Sequence, residues 1–542
     1  IIHMEEEHHD EDEDHDEEED HDEENLGYLA NSDFASESLK FGASTNGDWG
    51  FIGFSVASIE SMYGIPFHGE EHEDEHGEEE EGEHDEHEGE RIFSNTESDK
   101  FDVRGSFNID SNLVSKVDFF IRDTDYSLTE QHAEEEEHEE EGHDEDEHEG
   151  HEEGPTTFTN DALEAGFIFD LSNDLMSQKF ALNFVNEDTS VLGSEAFMNP
   201  ASRDELTFGY YISRDISDYT LDFGVRIDRL ANEGSISAAH EEEEHHDEDE
   251  GHEEEEHDEH DEHEEMETAF YDKSFNNTSL AFNIGRELND FISVDLGFAS
   301  VERAPSSIEL FMNGAHLATG RFEVGNVNLQ SETSNNVDLT VSIDNAGFFA
   351  SATLFANKVD NYIYLRDETE EEHEDHDEEH EEDHDEHGGL ILSNYLQQDA
   401  DLDGYEIEFG NTMELGSGEL TMSFGRDAIS GNFANGGNIP RLNPARNIFK
   451  LKYSKDDMTL GLNFKDVEKQ NDIAVNETLT AGYQMLNAKL SRTIDFGSQG
   501  ELTLSLFGNN MLNEVARNHS SFVKNEVPLP GRNYGLRFNL KL

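Results

Sequence analysis

The connections between segments limit this chain more than any other feature. Apolar residues recur at every second position, as in Met458, Leu460, Leu462 and Phe464 set between Thr459, Gly461, Asn463 and Lys465, or Leu502, Leu504 and Leu506 set between Thr503 and Ser505. A period of two held over about ten residues describes a strand with one apolar face. About 19 such segments follow one another, from near 37–46 to near 531–542. Two kinds of connection take turns between them. One is a tight turn of Asn, Asp and Gly, such as "TNGDW" (45–49), "DNAGF" (344–348) and "SKDDM" (454–458). The other is long.

The long connections carry the charge. The formal net charge is −101 on 542 residues, and five windows (1–24, 68–90, 130–153, 240–267 and 367–387) hold 79 of the 133 acidic residues, 27 of the 29 histidines and no Lys or Arg. Segments this polar have nothing to bury and are expected to lie as disordered loops on something else. Between successive windows lie two, two, four and four of the predicted strands. An even number each time places every window on the same rim of an antiparallel meander.

Short turns at one rim, long loops at the other and strands of ten or more residues with one apolar face predict an all-β fold, an antiparallel transmembrane β-barrel. A large soluble β-sandwich or propeller would alternate as well, but its strands are shorter, near five or six residues. No run of eighteen apolar residues could form a membrane-spanning helix. The absence of cysteine suits an exported chain. The start, "IIHMEEEHH", reads as the inside of a loop rather than a leader, so an exported protein of this kind is expected to have lost its beginning.

Four stretches add a resemblance. These are "YGIPFH" (63–68), "ERAPSSIELFMNGAHLATGRFEVGNVNLQSETSNNVDL" (302–339), "IPRLNPARN" (439–447) and "FGNNMLNEVARNHSSFVKNEVPLPGRNYGLRFNLKL" (507–542). They resemble the barrel of TonB-dependent outer-membrane receptors, in particular the zinc-receptor branch, over nearly the whole chain. The resemblance implies a barrel of about 22 strands around a plug, a Gram-negative outer-membrane location with the long loops extracellular, contact with membrane lipid and with the TonB complex, and no enzymatic activity. On that pattern residues 1–542 form one N-terminally truncated barrel domain, lacking three strands and the plug. Two departures stand out: no TonB box is present, and the last residue is Leu542 where the family usually closes on Phe.

Carboxylate and neutral imidazole without thiolate suit Zn²⁺ and, by ligand type, also Ni²⁺, Cu²⁺ or Co²⁺. The candidate ligands are His68, His72, His76, His84 and His87; His138, His143 and His148; His245, His246, His252, His257, His260 and His263; and His373, His376, His380, His384 and His387. Repeats such as "HDEHDEHEE" (257–265) place a histidine every three or four residues, so a flexible chain can wrap three or four ligands around one ion. Ordering the chain costs entropy, so each site is expected to be weak and fast, as a capture antenna requires. The competing reading is a secreted or surface β-protein whose acidic loops hold Ca²⁺ or Mg²⁺ with no transport role. Carboxylates alone would serve that purpose, and the histidines would then be idle.

Two histidines lie outside the windows, His316 and His519, both within the family-like stretches. The resemblance implies a tighter site in the lumen, for which they are candidate ligands with Glu309 or Glu323, shared with plug residues. The string "DADLDGYEIEFG" (399–410) begins like an EF-hand loop, but its twelfth residue is Gly410 and it reads as wall strand. No nucleophile elbow, phosphate loop or spaced cysteine set supports catalysis, and the charge sign excludes nucleic acid.

Overall fold

A computed structural model describes residues 29, 31–66, 92–109, 111, 113–132, 154–193, 196–238, 267–368, 389–497 and 500–541. The first half of the wall comprises β1 (Phe34–Gly47), β2 (Gly50–Gly64), β3 (Ile92–Asn108), β4 (Lys116–His132), β5 (Thr156–Asp170), β6 (Ser177–Leu192), β7 (Ala201–Ile216), β8 (Tyr219–Ala238), β9 (Glu267–Asn289) and β10 (Ile292–Arg303). The connection that follows folds into a short helix α1 (Ser307–Phe311), β11 (Asn313–His316), a 3-10 turn (Leu317–Thr319) and β12 (Arg321–Val324). The wall resumes with β13 (Glu332–Asn345), β14 (Phe348–Asp367), β15 (Ile391–Leu415), β16 (Gly418–Phe433), β17 (Arg446–Lys455), β18 (Met458–Val467), β19 (Tyr483–Asp495), β20 (Glu501–Asn509) and β21 (Asn533–Lys541).

Each wall strand pairs antiparallel with the next, β10 passing directly to β13. The 19 long strands foreseen from the alternation are therefore all present, and the two short ones sit apart as a hairpin whose β12 runs parallel to the start of β15. In this meander the ends of β2, β4, β8 and β14 and the start of β1 share one rim. Those are the roots of all five acidic tracts. The tract bodies lie outside the described residues.

Register shows what the wall faces. Phe223, Phe282, Phe298 and Val337 are cross-strand neighbours on β8, β9, β10 and β13, and each is 40–47% exposed. Phe167, Leu182, Phe208 and Ile227 form a similar row. The opposite face of the same strands is charged: Arg226 donates to Asp228 (2.8 Å), which also accepts from Thr207 (2.8 Å), and Arg203 pairs with Glu205 (2.5 Å). Apolar outside and ionic inside inverts a soluble sandwich and matches a barrel set in lipid. Aromatic rings add a belt near the turn rim, where Trp49, Phe107, Phe119 and Phe167 follow one another at centroid spacings of 5.6, 5.6 and 6.5 Å.

Two corrections concern boundaries. β4 continues through His132, so residues 130–132 are strand rather than loop, and β14 ends on Asp367, which is buried. The EF-hand-like string lies wholly within β15. Among the described residues no ladder joins β1 to β21, and apolar side chains along these two edges are much more exposed than those of the inner wall, with Leu39 at 74% and Leu536 and Phe538 at 69%. Strand length is uneven: β8, β9, β14 and β15 run 20 to 25 residues, whereas β17, β18, β20 and β21 run 9 or 10.

Candidate functional site at the tract-bearing rim

The connections that fold at this rim are 193–200, 304–331, 434–445, 468–482 and 510–532, and they form two dissimilar assemblies. The first is apolar. Phe197 and Met198 from the β6–β7 connection meet Leu310, Phe311 and Met312 from α1 and its end, over Val191, Ala201, Leu329 and Ile363, with Phe158, Tyr271 and Phe275 alongside. Helix α1 is only five residues long and holds by its cap: Ser306 Oγ accepts from the Glu309 amide, and the Glu309 carboxylate accepts from the Ser306 amide (2.7 Å). Arg303 closes the cap, donating to both Glu309 oxygens at 3.1 and 2.9 Å and to Glu332 at 2.5 Å. Gly234 on β8 is required here, since a Cβ would stand 2.5 Å from the Phe311 ring.

The hairpin β11–β12 rests against this assembly and brings together two of the four lumenal candidates. His316 Nδ1 lies 2.9 Å from Glu323 Oε1, its ring 4.9 Å from that of Phe197. Glu323, buried, also accepts from Thr319 Oγ1 at 3.2 Å. Glu309 is turned elsewhere, into the helix cap and Arg303.

The second assembly is ionic. Asp367, at the root of the fifth tract, accepts a bidentate pair from Arg321 (3.0 and 2.8 Å), a hydroxyl from Ser393 (2.8 Å) and a longer contact from Arg441 (3.5 Å). The guanidinium carbons of Arg321 and Arg441 lie 4.4 and 3.8 Å from the centre of the Phe522 ring, so this aromatic joins the 510–532 connection to the cation pair. The Arg441 amide donates to Glu477 (2.6 Å), and the Asn476 side-chain amide donates to the Glu368 carbonyl. Beside them His519, 2% exposed, sits with Nδ1 at 2.8 Å from Thr480 Oγ1 and 3.4 Å from Lys524 Nζ, while its Nε2 is 3.8 Å from Glu477 Oε2 and has no hydrogen-bond partner. Burial, with Lys524 and Arg441 close by, holds the His519 imidazole below its ordinary pKa against the pull of Glu477. Burial likewise lowers Lys524, whose ammonium donates to the Thr478 carbonyl at 2.7 Å.

A family model described as "TonB dependent receptor-like, beta-barrel" matches residues 21–511. This chain belongs to that family. TonB-dependent receptors are outer-membrane β-barrel transporters, not enzymes, and they work with the TonB complex. Among solved structures the fold is shared with the copper transporter OprC (TM-score 0.67, 13% identity, 94% of this chain and 72% of that one). It is also shared with the FrpB iron transporter of Neisseria meningitidis (0.60, 13%, 93% and 71%) and with the haemophore receptor HasR of Serratia marcescens, solved with its haemophore and haem (0.62, 11%, 93% and 71%).

Within this TonB-dependent receptor the tract candidates His68–His87, His138–His148, His245–His263 and His373–His387 all lie outside the described residues. Among the described residues no three His, Cys, Asp or Glu side chains converge as a metal site. The residues overlooked by sequence reasoning are the ionic core, Arg321, Asp367, Arg441 and Phe522. Three of them stood inside the family-like stretches, as the Arg of "GRFEVGN", the first Arg of "IPRLNPARN" and the Phe of "NHSSF".

Proposed function

We propose that this TonB-dependent receptor takes up a divalent transition metal, with zinc favoured by ligand chemistry, and that its His/Asp/Glu tracts are a low-affinity capture antenna facing the cell exterior. The observation that carries the reading is the common rim of the five tract roots, above a lumen whose wall is polar. Neutral imidazoles interleaved with carboxylates prefer zinc, nickel, copper or cobalt over calcium, and the polyanionic field adds to the on-rate for any divalent cation in a salt-dependent way. Copper and iron transport by OprC and FrpB accords with metal cargo on this fold. The calcium-binding surface-protein reading fits the family less well, since receptors of this kind transport. The edges of β1 and β21, unpaired with each other among the described residues, support a wall completed by further strands between them, around a plug through which TonB acts.

Competition calorimetry on the detergent-solubilised protein tests the metal. Zn²⁺ should displace Ca²⁺ at pH 7, and the preference should vanish near pH 5 as the imidazoles protonate. Calcium binding as tight as zinc binding, indifferent to that pH change, would remove zinc as the cargo.

A further inference from the structure

Charge on the lipid-facing side of the wall is sorted by height. The phase set by Phe223, Phe282, Phe298 and Val337 can be followed along every strand to the rim of short turns. In the four strand positions nearest that rim it meets four cations, Arg214 on β7, Arg286 on β9, Lys455 on β17 and Arg492 on β19, and no Asp or Glu among the described residues. Composition does not favour this, because acids outnumber Lys and Arg even outside the five windows. The acids of this rim lie in the lumen-facing phase, as Asp118, Asp170, Glu419 and Asp495 do, or in turns, as Asp218 and Asp456 do. Toward the tract rim the lipid-facing phase changes sign: Asp99, Asp125, Asp161 and Asp188 are successive cross-strand partners. All four cations are exposed, and none has an acidic partner among the described residues.

Two of them flank a tyrosine. Tyr219 on β8 is the cross-strand partner of Arg286, whose guanidinium carbon stands 4.8 Å from the centre of its ring. Arg214 is the partner of Leu221, two positions along β8, so the two arginines sit on either side of one strand. That separation is about 9 to 10 Å, within reach of two long side chains meeting over the tyrosine. Leu221, Phe223 and Ile284 continue the same face toward the membrane centre. Lys455, Met458 and Arg492 repeat the plan on β17, β18 and β19, with Met458 the partner of both cations, but with one lysine and no ring.

We propose that Arg214, Tyr219 and Arg286 bind the phosphate of an anionic glycerophospholipid in the leaflet that meets the turn rim, with Lys455 and Arg492 a weaker site of the same kind. A guanidinium presents a planar fork that matches two phosphate oxygens, and it is more weakly hydrated than an ammonium, which suits a group at the edge of hydrocarbon. Stacking on Tyr219 holds Arg286 in place beforehand, so less freedom is lost when the phosphate arrives. The tyrosine hydroxyl supplies a further donor at the same height. The ligand is a lipid because the cations and the apolar wall form one continuous face: acyl chains cover Leu221, Phe223 and Ile284 while the headgroup meets the arginines. A phosphate without a tail would leave that apolar surface bare. The inference depends on the lipid-facing wall and not on the identity of the cargo.

Native mass spectrometry of the full chain in detergent, titrated with phosphatidylglycerol or with phosphatidylcholine, tests the site. Phosphatidylglycerol should bind more tightly, and added salt should narrow the difference. R214Q and R286Q should each raise its Kd by about fivefold, the usual worth of one cation near a membrane surface. The K455Q/R492Q pair should cost less than R214Q/R286Q, and Arg286→Lys, which keeps the charge but loses the fork, less than R286Q. Heat-modifiability on gels should survive in every variant, since all four side chains are exposed. Equal affinity for the two lipids, or an R214Q/R286Q variant that still prefers phosphatidylglycerol as the wild type does, would overturn the assignment. Displacement of the bound lipid by excess glycerol phosphate would overturn it too, by showing a pocket for a soluble phosphate rather than a lipid site.

Discussion

The two assemblies that cover the mouth differ in what holds them. On the β5–β9 side the 193–200 and 304–331 connections bury Leu310, Phe311 and Met312 almost completely. On the β16–β21 side the connections carry few buried apolar groups and are held by Arg441, Glu477 and Lys524, tied to Asp367 at the end of β14 and through it to Arg321 of β12. Burial of apolar surface is nearly indifferent to pH and salt. An ion network with low solvent access is stable only while every charge keeps its partner. The contrast teaches that one set of rim connections is held unconditionally and the other only while its charges stay paired.

Local opening measured by hydrogen exchange in detergent can break or sharpen that contrast. The largest effect is expected from Asp367→Ala, which strips Arg321 and Arg441 of their shared counter-ion. The amides of 321–324, 434–445 and 510–532 should lose as much as about 5 kcal/mol of protection while those of 304–320 hold. Equal loss on both sides would show a single unit. Phe311→Ala should act in mirror image, costing the 304–320 amides about 3 to 4 kcal/mol through the cavity it leaves, without touching the ionic side. Gly234→Ala forces a methyl against the Phe311 ring and should cost the same amides about 1 to 3 kcal/mol; no change would mean that the ring has room to move. Ser306→Ala removes one half of the α1 cap and should cost about 1 kcal/mol, visible only in the first turn of that helix.

The smallest expected effect is pH. His519 titrates below its ordinary value in the folded protein, so on acidification the unfolded chain takes up the proton first. The network should therefore be fully stable above about pH 6.5 and weaken as pH falls toward the depressed value, with 304–320 exchanging as before. A network that instead tightened in acid would place His519 beside a dominant carboxylate.

The wall was legible because its signal is redundant. The strands repeat the same period, the register of each inner one is fixed by two neighbours, and a one-residue error would turn Phe282 or Ile227 from lipid to lumen. The inner furniture of 304–331 lacked such redundancy. A five-residue helix and two four-residue strands are too short for any period to show, and the Ser306–Glu309 spacing of the cap went unread in the sequence. The site was harder still. Nothing in the order of residues says that Arg321 and Asp367, 46 positions apart, meet as a buried pair, or that one histidine faces a carboxylate and the other an ammonium. Composition advertised the tracts and concealed the ion pairs, because 79 acids in five windows leave a handful of critical ones inconspicuous.

The unequal height of the wall has a consequence of its own. A tilted strand needs about 9 to 11 residues to cross the hydrocarbon, so β8, β9, β14 and β15 rise some ten residues further, roughly 25 Å at 3.3 Å each after allowing for tilt. In the proposed outward orientation, these parapets root two polyanions about two to three Debye lengths clear of the hydrocarbon edge, since that length is only about 8 to 10 Å at physiological salt. In that orientation a fringe rooted lower would be repelled by the surface it grew from and would compete with it for every divalent cation; the height of its roots is what the proposed antenna needs.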